Sequence, residues 1–310
     1  MTVPLIDVVV PTYNRHAMLD RLIASLVHQS YAADRYRIIV VDDGSSDATW
    51  AALGEWALRD RRIEPLQISH AGASAARNRG WRHGTGEIIA FTDDDCIADH
   101  DWISELARGF GERPGALGLY GKTVTERDRV TPLTHQITAV RRNSNYRACN
   151  IAYRRQALVA ANGFDEQSAY GEDTQLAAAV LQQGPIVFWP QATIVHPPRP
   201  RIFSDGYLWE EQLEGLFRLY RRQPEFFRRH WGRSFPTAVA WRLGIGSTAK
   251  QALVLSPWML RDPRLYFRFL GLLLRERAAL FTLLPAFWRA RGRQACTVKD
   301  GDKASLKGRR

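Results

Sequence analysis

Cysteine is scarce in this chain of 310 residues: three, Cys96, Cys149 and Cys296, stand far apart with no CxxC pair. That spacing argues against a disulfide scaffold and a thiolate zinc site. Long apolar runs are missing too. The nearest candidate, YFRFLGLLLRERAALFTLLPAFW, is interrupted by Arg275, Glu276 and Arg277, whereas a membrane-spanning helix needs about 20 predominantly apolar residues. No basic stretch leading into a long apolar segment stands at the N-terminus; the run Leu5 to Val10 has the length of a strand. These absences predict a chain exposed to the cytosol. Nor is there a glycine in PTYNRHAML, after the first apolar segment, which argues against nucleotidyl transfer built on a glycine-rich phosphate loop.

Positive charge is abundant but uneven. The formal net charge is +11, a sign that suits an anionic partner. Residues 1–200 hold 21 Lys and Arg against 23 Asp and Glu, a net of −2, while residues 201–310 hold 22 against 9, a net of +13. All of the excess lies in the last third. The length suffices for one large domain, or one domain with an appendage.

The first part alternates between two periodicities. IDVVVPTYNR reads as a buried strand stopped by Pro11, with Asn14 placed to cap the next helix. Leu19, Leu22, Ile23, Leu26 and Val27 then recur at helical spacing. YRIIVVDDGSSDAT is a second strand ending in acids and a Gly-Ser turn, a helix is predicted over 47–58, and RIEPLQIS is a weak third strand. AGASAARNRGWRHG reads as a helix, and GEIIAF as a fourth strand running into Asp93, Asp94 and Asp95. Further on, a turn at Gly163 and the acids Glu172 and Asp173 precede an amphipathic helix over 176–181. IVFWPQATIVHPPRP then closes the domain as a strand or two, with prolines at 197–200 marking its boundary. The rhythm predicts a mostly parallel α/β sheet flanked by helices, whose ligands bind beyond the carboxyl ends of the strands. Polar clusters stand at three such ends: Thr12–Asn14, Asp42–Ser46 and Asp93–Asp95.

Three consecutive carboxylates at a strand end suit either a solvated loop or a hard divalent cation, Mg²⁺ or Mn²⁺, which prefers oxygen ligands and phosphate oxygens. Asp42 or Asp43 can accept the ring N–H of a pyrimidine, with Gly44 and Ser45 allowing close backbone approach, and Ser46 or Asp47 can cap the following helix. Arg77 and Asn78 lie in a helix aimed at the same rim, where they would meet a diphosphate. Glu172 and Asp173 open a helix, where the dipole favours acids, and either is a candidate general base.

VVVPTYNR, IVVDDGSSD, ARNRG, GEIIAFTDDDC and GFDE…GEDTQLA, in this order over residues 5 to 196, together resemble family 2 glycosyltransferases, nucleotide-sugar-dependent enzymes of GT-A fold. The resemblance implies an inverting transfer from a nucleoside-diphosphate sugar, UDP favoured, to a hydroxyl of an envelope glycan or lipid-linked acceptor. By the same resemblance, Asp42 and Asp43 bind the base, with Pro11 and Thr12 beside them. Asp93 meets the ribose, Asp94 lies between, and Asp95 holds Mg²⁺ or Mn²⁺, with Asp93 and His196 as further metal candidates. Asp173 is the implied base, with Glu172 next to it.

The domain boundaries expected are 1–200 for a catalytic domain, 201–291 for a basic amphipathic helical region and 292–310 for a basic, disordered tail. Helices are predicted at about 216–231, 237–255 and 265–291. Trp209, Trp231, Trp241, Trp258 and Trp288 are interleaved with arginine, and Leu270, Leu273 and Leu274 recur at helical spacing. Such helices suit an anionic bilayer surface, predicting a peripheral protein on the inner face of the cell membrane; the other reading is a cap packed on the catalytic domain. Two further alternatives are a catalytically inactive nucleotide-sugar-binding scaffold and a basic protein that binds nucleic acid or another anionic polymer. Nucleic acid is not the expected partner.

Overall fold

The structure is a computed structural model describing residues 3–140, 146–201, 207–232 and 234–307. Two compact units divide the chain: Met1–Val130 with Thr134–Arg199, and Thr131–Leu133 with Pro200–Arg310.

The first unit is built on an eight-stranded sheet. Its strands are β1 (Ile6–Thr12), β2 (Tyr36–Asp42), β3 (Ile63–Gln67), β4 (Ile88–Phe91), β5 (Ile97–Ala98), β6 (Gly118–Val124), β8 (Ile151–Arg154) and β9 (Ile186–Val195); β7 (Thr134–His135) lies outside it. The order is β3-β2-β1-β4-β8-β6-β9-β5. Four of the seven pairings are parallel, and antiparallel β8 is inserted between β4 and β6. The central strands read as continuous apolar runs because both faces are covered. Ile6, Val8, Val10, Ile38 and Val40 face one core with Leu19, Leu22, Ile23 and Leu26 of α1 (His16–Val27), Leu53 of α2 (Thr49–Arg59) and Trp102, Ile103 and Leu106 of α4 (Trp102–Glu112). Val9 and Val41 point the other way, as strand alternation requires, towards α3 (Ala73–His83). Gly80 makes that approach possible: a Cβ there would stand 2.5 Å from a Val9 methyl.

β1 runs through Pro11 to Thr12 instead of stopping at the proline. Asn14 does not cap α1, whose N-cap is Arg15 without a side-chain bond. Its carboxamide oxygen instead accepts the Ser46 and Asp47 amides at 2.8 and 3.3 Å, bracing the loop before α2. The N-cap of α2 is Ala48, without a side-chain bond, and Asp47 just before it accepts the Thr49 amide at 2.9 Å.

One carboxylate lies inside the sheet. Asp7 is fully buried and accepts Arg37 Nε and Nη2 at 2.9 and 2.6 Å, Arg155 Nη2 at 3.0 Å and the Gly86 amide at 2.6 Å. It thereby ties β1 to β2, to the turn before β4, and to the start of α5 (Arg155–Ala161). A Cβ on Gly84 or Gly86 would collide with this carboxylate.

The second unit is helical: α7 (Tyr207–Arg222), α8 (Pro224–His230), α9 (Phe235–Val239), a π-helical segment Ala240–Gly246, α10 (Ser247–Val254), α11 (Trp258–Arg261) and α12 (Pro263–Lys307). Phe217, Tyr220, Phe227, Phe235 and Trp288 form an aromatic cluster with edge-on and stacked contacts. Trp209 is buried, donates to the Glu276 carbonyl at 2.9 Å and lies under the Arg277 guanidinium. Trp209 therefore serves the unit's interior, while Trp288 is half-buried at the edge of the aromatic cluster. α12 continues over 292–307, where composition predicts a disordered tail: an established helix extends without a new nucleation cost. Residues 308–310 lie outside the described residues.

Asp7→Ala should lower stability by about 3–5 kcal/mol, because two arginines then lose their buried countercharge; urea unfolding measures it. Asp7→Asn, which keeps one acceptor oxygen but not the charge, should lie between Asp7→Ala and the wild type.

Candidate active site

The carboxyl ends of β1, β2 and β4 meet at Thr12. Thr12 pairs in register with Asp42, its carbonyl accepts the Asp43 amide at 2.9 Å, and its hydroxyl donates to Asp94 Oδ2 at 2.9 Å. The three polar clusters legible in the sequence thus share one rim, with Pro11 buried just behind it.

Asp42 and Asp43 are both buried. Asp42 accepts the Ser45 amide at 3.2 Å, the Ser45 hydroxyl, and Gln67 Nε2 at 2.9 Å. Asp43 accepts the Ala71 and Gly72 amides at 2.7 and 2.8 Å, with His70 Nδ1 3.0 Å away. Together they shape the loop around Gly44, whose φ of +79° favours glycine. The Tyr13 ring stacks on His70 with centroids 4.3 Å apart and stays exposed. Neither ring stood out in the sequence; the signal was an aromatic immediately after the first strand.

Arg77 is buried between two acids. Its Nη2 donates to Asp93 Oδ1 at 2.9 Å and its Nη1 to Glu172 Oε1 at 3.0 Å. The guanidinium also stands 5.5 Å from the Phe164 ring. It joins the end of β4 to the first turn of α6 (Glu172–Leu181). Asn78 has no capacity left for a diphosphate: it donates to the Phe164 carbonyl and Glu166, and accepts from the Phe164 amide and Trp81 Nε1. Its role is to brace the turn that leads to α6.

The three consecutive acids differ in environment. Burial works to raise the Asp93 carboxyl, but the charge and hydrogen bond of Arg77 outweigh it and hold the group below the usual carboxylate range. Asp94 has no such cation. Burial, together with the charges of Asp95 and Asp93, pushes it up to about 7 despite the Thr12 hydroxyl. Asp95 is buried, 2.5 Å from Arg199 Nε and 3.6 Å from His196 Nε2. His196 Nδ1 lies 2.9 Å from the Pro197 carbonyl and its Nε2 lies 2.8 Å from Arg199 Nη2. These contacts fit a neutral imidazole protonated at Nδ1 and accepting at Nε2. Arg199 was missed in the sequence, where it sits in the proline cluster read only as a boundary.

Asp95, Cys96 and His196 have ligand atoms within 4.8 Å of one another, so they form a possible metal site among the described residues. The Asp95 carboxylate oxygen fits a hard cation. Cys96 does not: it is a core thiol beside Cys149 whose pKa is raised first by that contact and then by burial.

Glu172 and Asp173 open α6 behind Gly171, which has a left-handed φ of +73°. Burial and then Asp173 raise the Glu172 carboxyl, against the pull of Arg77. Asp173 is buried; its Oδ1 accepts the Thr174 amide at 2.6 Å, and Arg147 Nη1 lies 3.8 Å from its Oδ2.

Replacing Arg77 by Met should cost about 3–5 kcal/mol of stability, since Asp93 and Glu172 lose their shared countercharge. In an Asp93→Asn, Glu172→Gln background the same replacement should cost far less. Equal losses in the two backgrounds, measured by urea unfolding, would show that the clamp's charges are not coupled.

Residues 7–163 match the family described as Glycosyl transferase family 2. The glycosyltransferase AglE of Haloferax volcanii is 31% identical over 103 residues, which cover 33% of this chain and 34% of that protein. The chain thus matches about a third of that relative's length. Among solved structures, S. aureus TarS 1–349 in complex with UDP-GlcNAc aligns with a TM-score of 0.59 at 18% identity, covering 92% of each chain. The mannosyltransferase PcManGT from Pyrobaculum calidifontis, in complex with GDP-Man and Mn²⁺, aligns with a TM-score of 0.58 at 20% identity, covering 89% of this chain and 86% of that one. Both likenesses show a shared GT-A fold. The chain belongs to glycosyl transferase family 2.

Proposed function

We propose that this protein is an inverting glycosyltransferase that moves a sugar from a nucleoside-diphosphate sugar to a hydroxyl of an envelope glycan or lipid-linked acceptor. The observation that carries this reading is the convergence of Asp42–Asp43, Asp93–Asp95 and Glu172–Asp173 through Thr12 and Arg77. UDP is the favoured nucleotide in this reading: the Asp42 and Asp43 carboxylates would accept a pyrimidine N–H, and the exposed Tyr13 ring would offer a face to the base.

Asp173 is the proposed base. With Oδ1 held by the Thr174 amide, Oδ2 is the oxygen with capacity for the acceptor's proton. Attack on the anomeric carbon from that side, opposite the leaving diphosphate, inverts its configuration. Arg77 positions this base by holding the neighbouring Glu172 against Asp93.

A divalent cation would suit the acid cluster, where Asp93, Asp94 and Asp95 adjoin and Arg77 and Arg199 pair with only the outer two. Asp95 would hold Mg²⁺ or Mn²⁺ through Oδ1, 3.6 Å from His196 Nε2, its Oδ2 being paired with Arg199, whereas Asp93 has one oxygen committed to Arg77. When bound, the cation supplies charge to offset the departing diphosphate.

Product mass spectrometry with a panel of nucleotide sugars and envelope acceptors tests the transfer, and donor hydrolysis separates an enzyme from an inactive binder. Asp173→Asn should keep donor affinity while turnover falls by about 10²–10⁴-fold; near-normal turnover at saturating substrates would transfer the role to Glu172. By calorimetry, Mn²⁺ should strengthen UDP binding to the wild type but not to Asp95→Asn. UDP and other nucleoside diphosphates binding equally with and without metal would refute the metal assignment.

A further inference from the structure

We propose that the outward face of α12 is a docking surface for an anionic lipid bilayer. Phe267, Leu274 and Phe281 recur every seven residues, two helical turns apart, and are 58%, 54% and 42% exposed. Exposed Gly271, Ala278 and Pro285 fill the same stripe between and beyond them. The inward face is already occupied: Tyr266, Phe269, Leu273, Leu280 and Leu284 are buried. α12 is therefore apolar on two sides, and packing within the unit accounts for one of them.

Charge selects the partner. Arg264, Arg268, Arg275 and Arg289 are exposed alongside the stripe, and the only carboxylate between residues 263 and 290 is Glu276, which faces Arg277 with its side chain 16% exposed. Two copies of such a stripe would bring arginine against arginine, whereas an anionic lipid surface supplies opposite charge and a medium for the rings. Arginine stems can lie along the apolar layer while their heads meet phosphate.

The preceding segment carries the same chemistry. Trp241, Ile245, Leu253, Val254 and Leu260 are exposed, and no Asp or Glu occurs from Phe226 to Arg261. Phe281 also lines an open apolar groove of about 510 Å³ with Pro236, Ala240, Leu284 and Pro285, and Arg289 is among its walls. The surface is independent of the transfer chemistry. Trp209, attractive in the sequence, is interior, whereas Trp288 is half-buried and lines the groove.

Flotation of the full-length protein with vesicles tests it. The protein should float with phosphatidylcholine–phosphatidylglycerol vesicles and not with phosphatidylcholine alone, and high salt should release part of it. Arg264→Gln, Arg268→Gln and Arg289→Gln together should weaken binding by about 100-fold at low salt. Phe267→Ser with Leu274→Ser should remove the salt-resistant remainder. Both positions are exposed, so circular dichroism should be unchanged; Phe281, which packs on Gly244, is left intact. Folded protein that ignores anionic vesicles at low salt would overturn the proposal. So would retention of the salt-resistant fraction in the double variant, or a dimer by sedimentation that this variant makes monomeric. Binding to heparin or RNA without vesicle binding would identify an anionic polymer as the partner and likewise overturn it.

Discussion

A single buried guanidinium holds two acidic segments in place. Glu172 and Asp173 at the start of α6, and Asp93 at the end of β4, are all negative, and like charges brought together out of water repel strongly. Arg77 makes their approach tolerable by bonding to Asp93 and Glu172 at once. Its own position follows from α3 lying close on the sheet, which Gly80 permits. Asn78, one residue on, braces the turn that leads into α6 with three hydrogen bonds. Adjacent residues of one helix thus determine where the proposed base stands.

The same balance explains the triple acid. Each of Asp93, Asp94 and Asp95 has a different partner: Arg77, the Thr12 hydroxyl, and Arg199 with His196. Two are paired with arginines and the middle one is not; burial, with the charges of Asp95 and Asp93, holds its proton more tightly. A buried acid cluster with incomplete compensation is a place where further positive charge stabilises the fold, which suits a donor that arrives with a divalent cation. Asp7 is the contrasting case. With two arginines and a backbone amide it is fully compensated, and it serves the architecture of the sheet.

The helical unit solves a different problem. An aromatic cluster around Phe217, Phe227, Phe235 and Trp288 supplies its interior, which leaves the arginines and a second set of apolar side chains outside. Positive charge that keeps such a surface apart from its own copies also draws it to anionic material.

Much of this protein was legible before any coordinates. Apolar runs bounded by polar clusters marked β1, β2 and β4, because strands buried on both faces must be continuously apolar. The order of acids and glycines along the chain carried the family, and the split in charge marked the second unit. The side-chain partnerships were not legible. Arg77 stands 95 residues from Glu172 in the chain, and Arg199 stood in a proline cluster. Asn14 carries a common helix-cap residue at a helix start, yet it braces a loop more than 30 residues away. In the last third, helical periodicity showed that apolar faces exist but could not say which one turns inward: Leu273 is buried and Leu274 exposed. Local pattern depends on neighbours a few residues apart and is written in the sequence itself. Which carboxylate is neutralised, and which aromatic is covered, depends on residues that only the folded chain brings together.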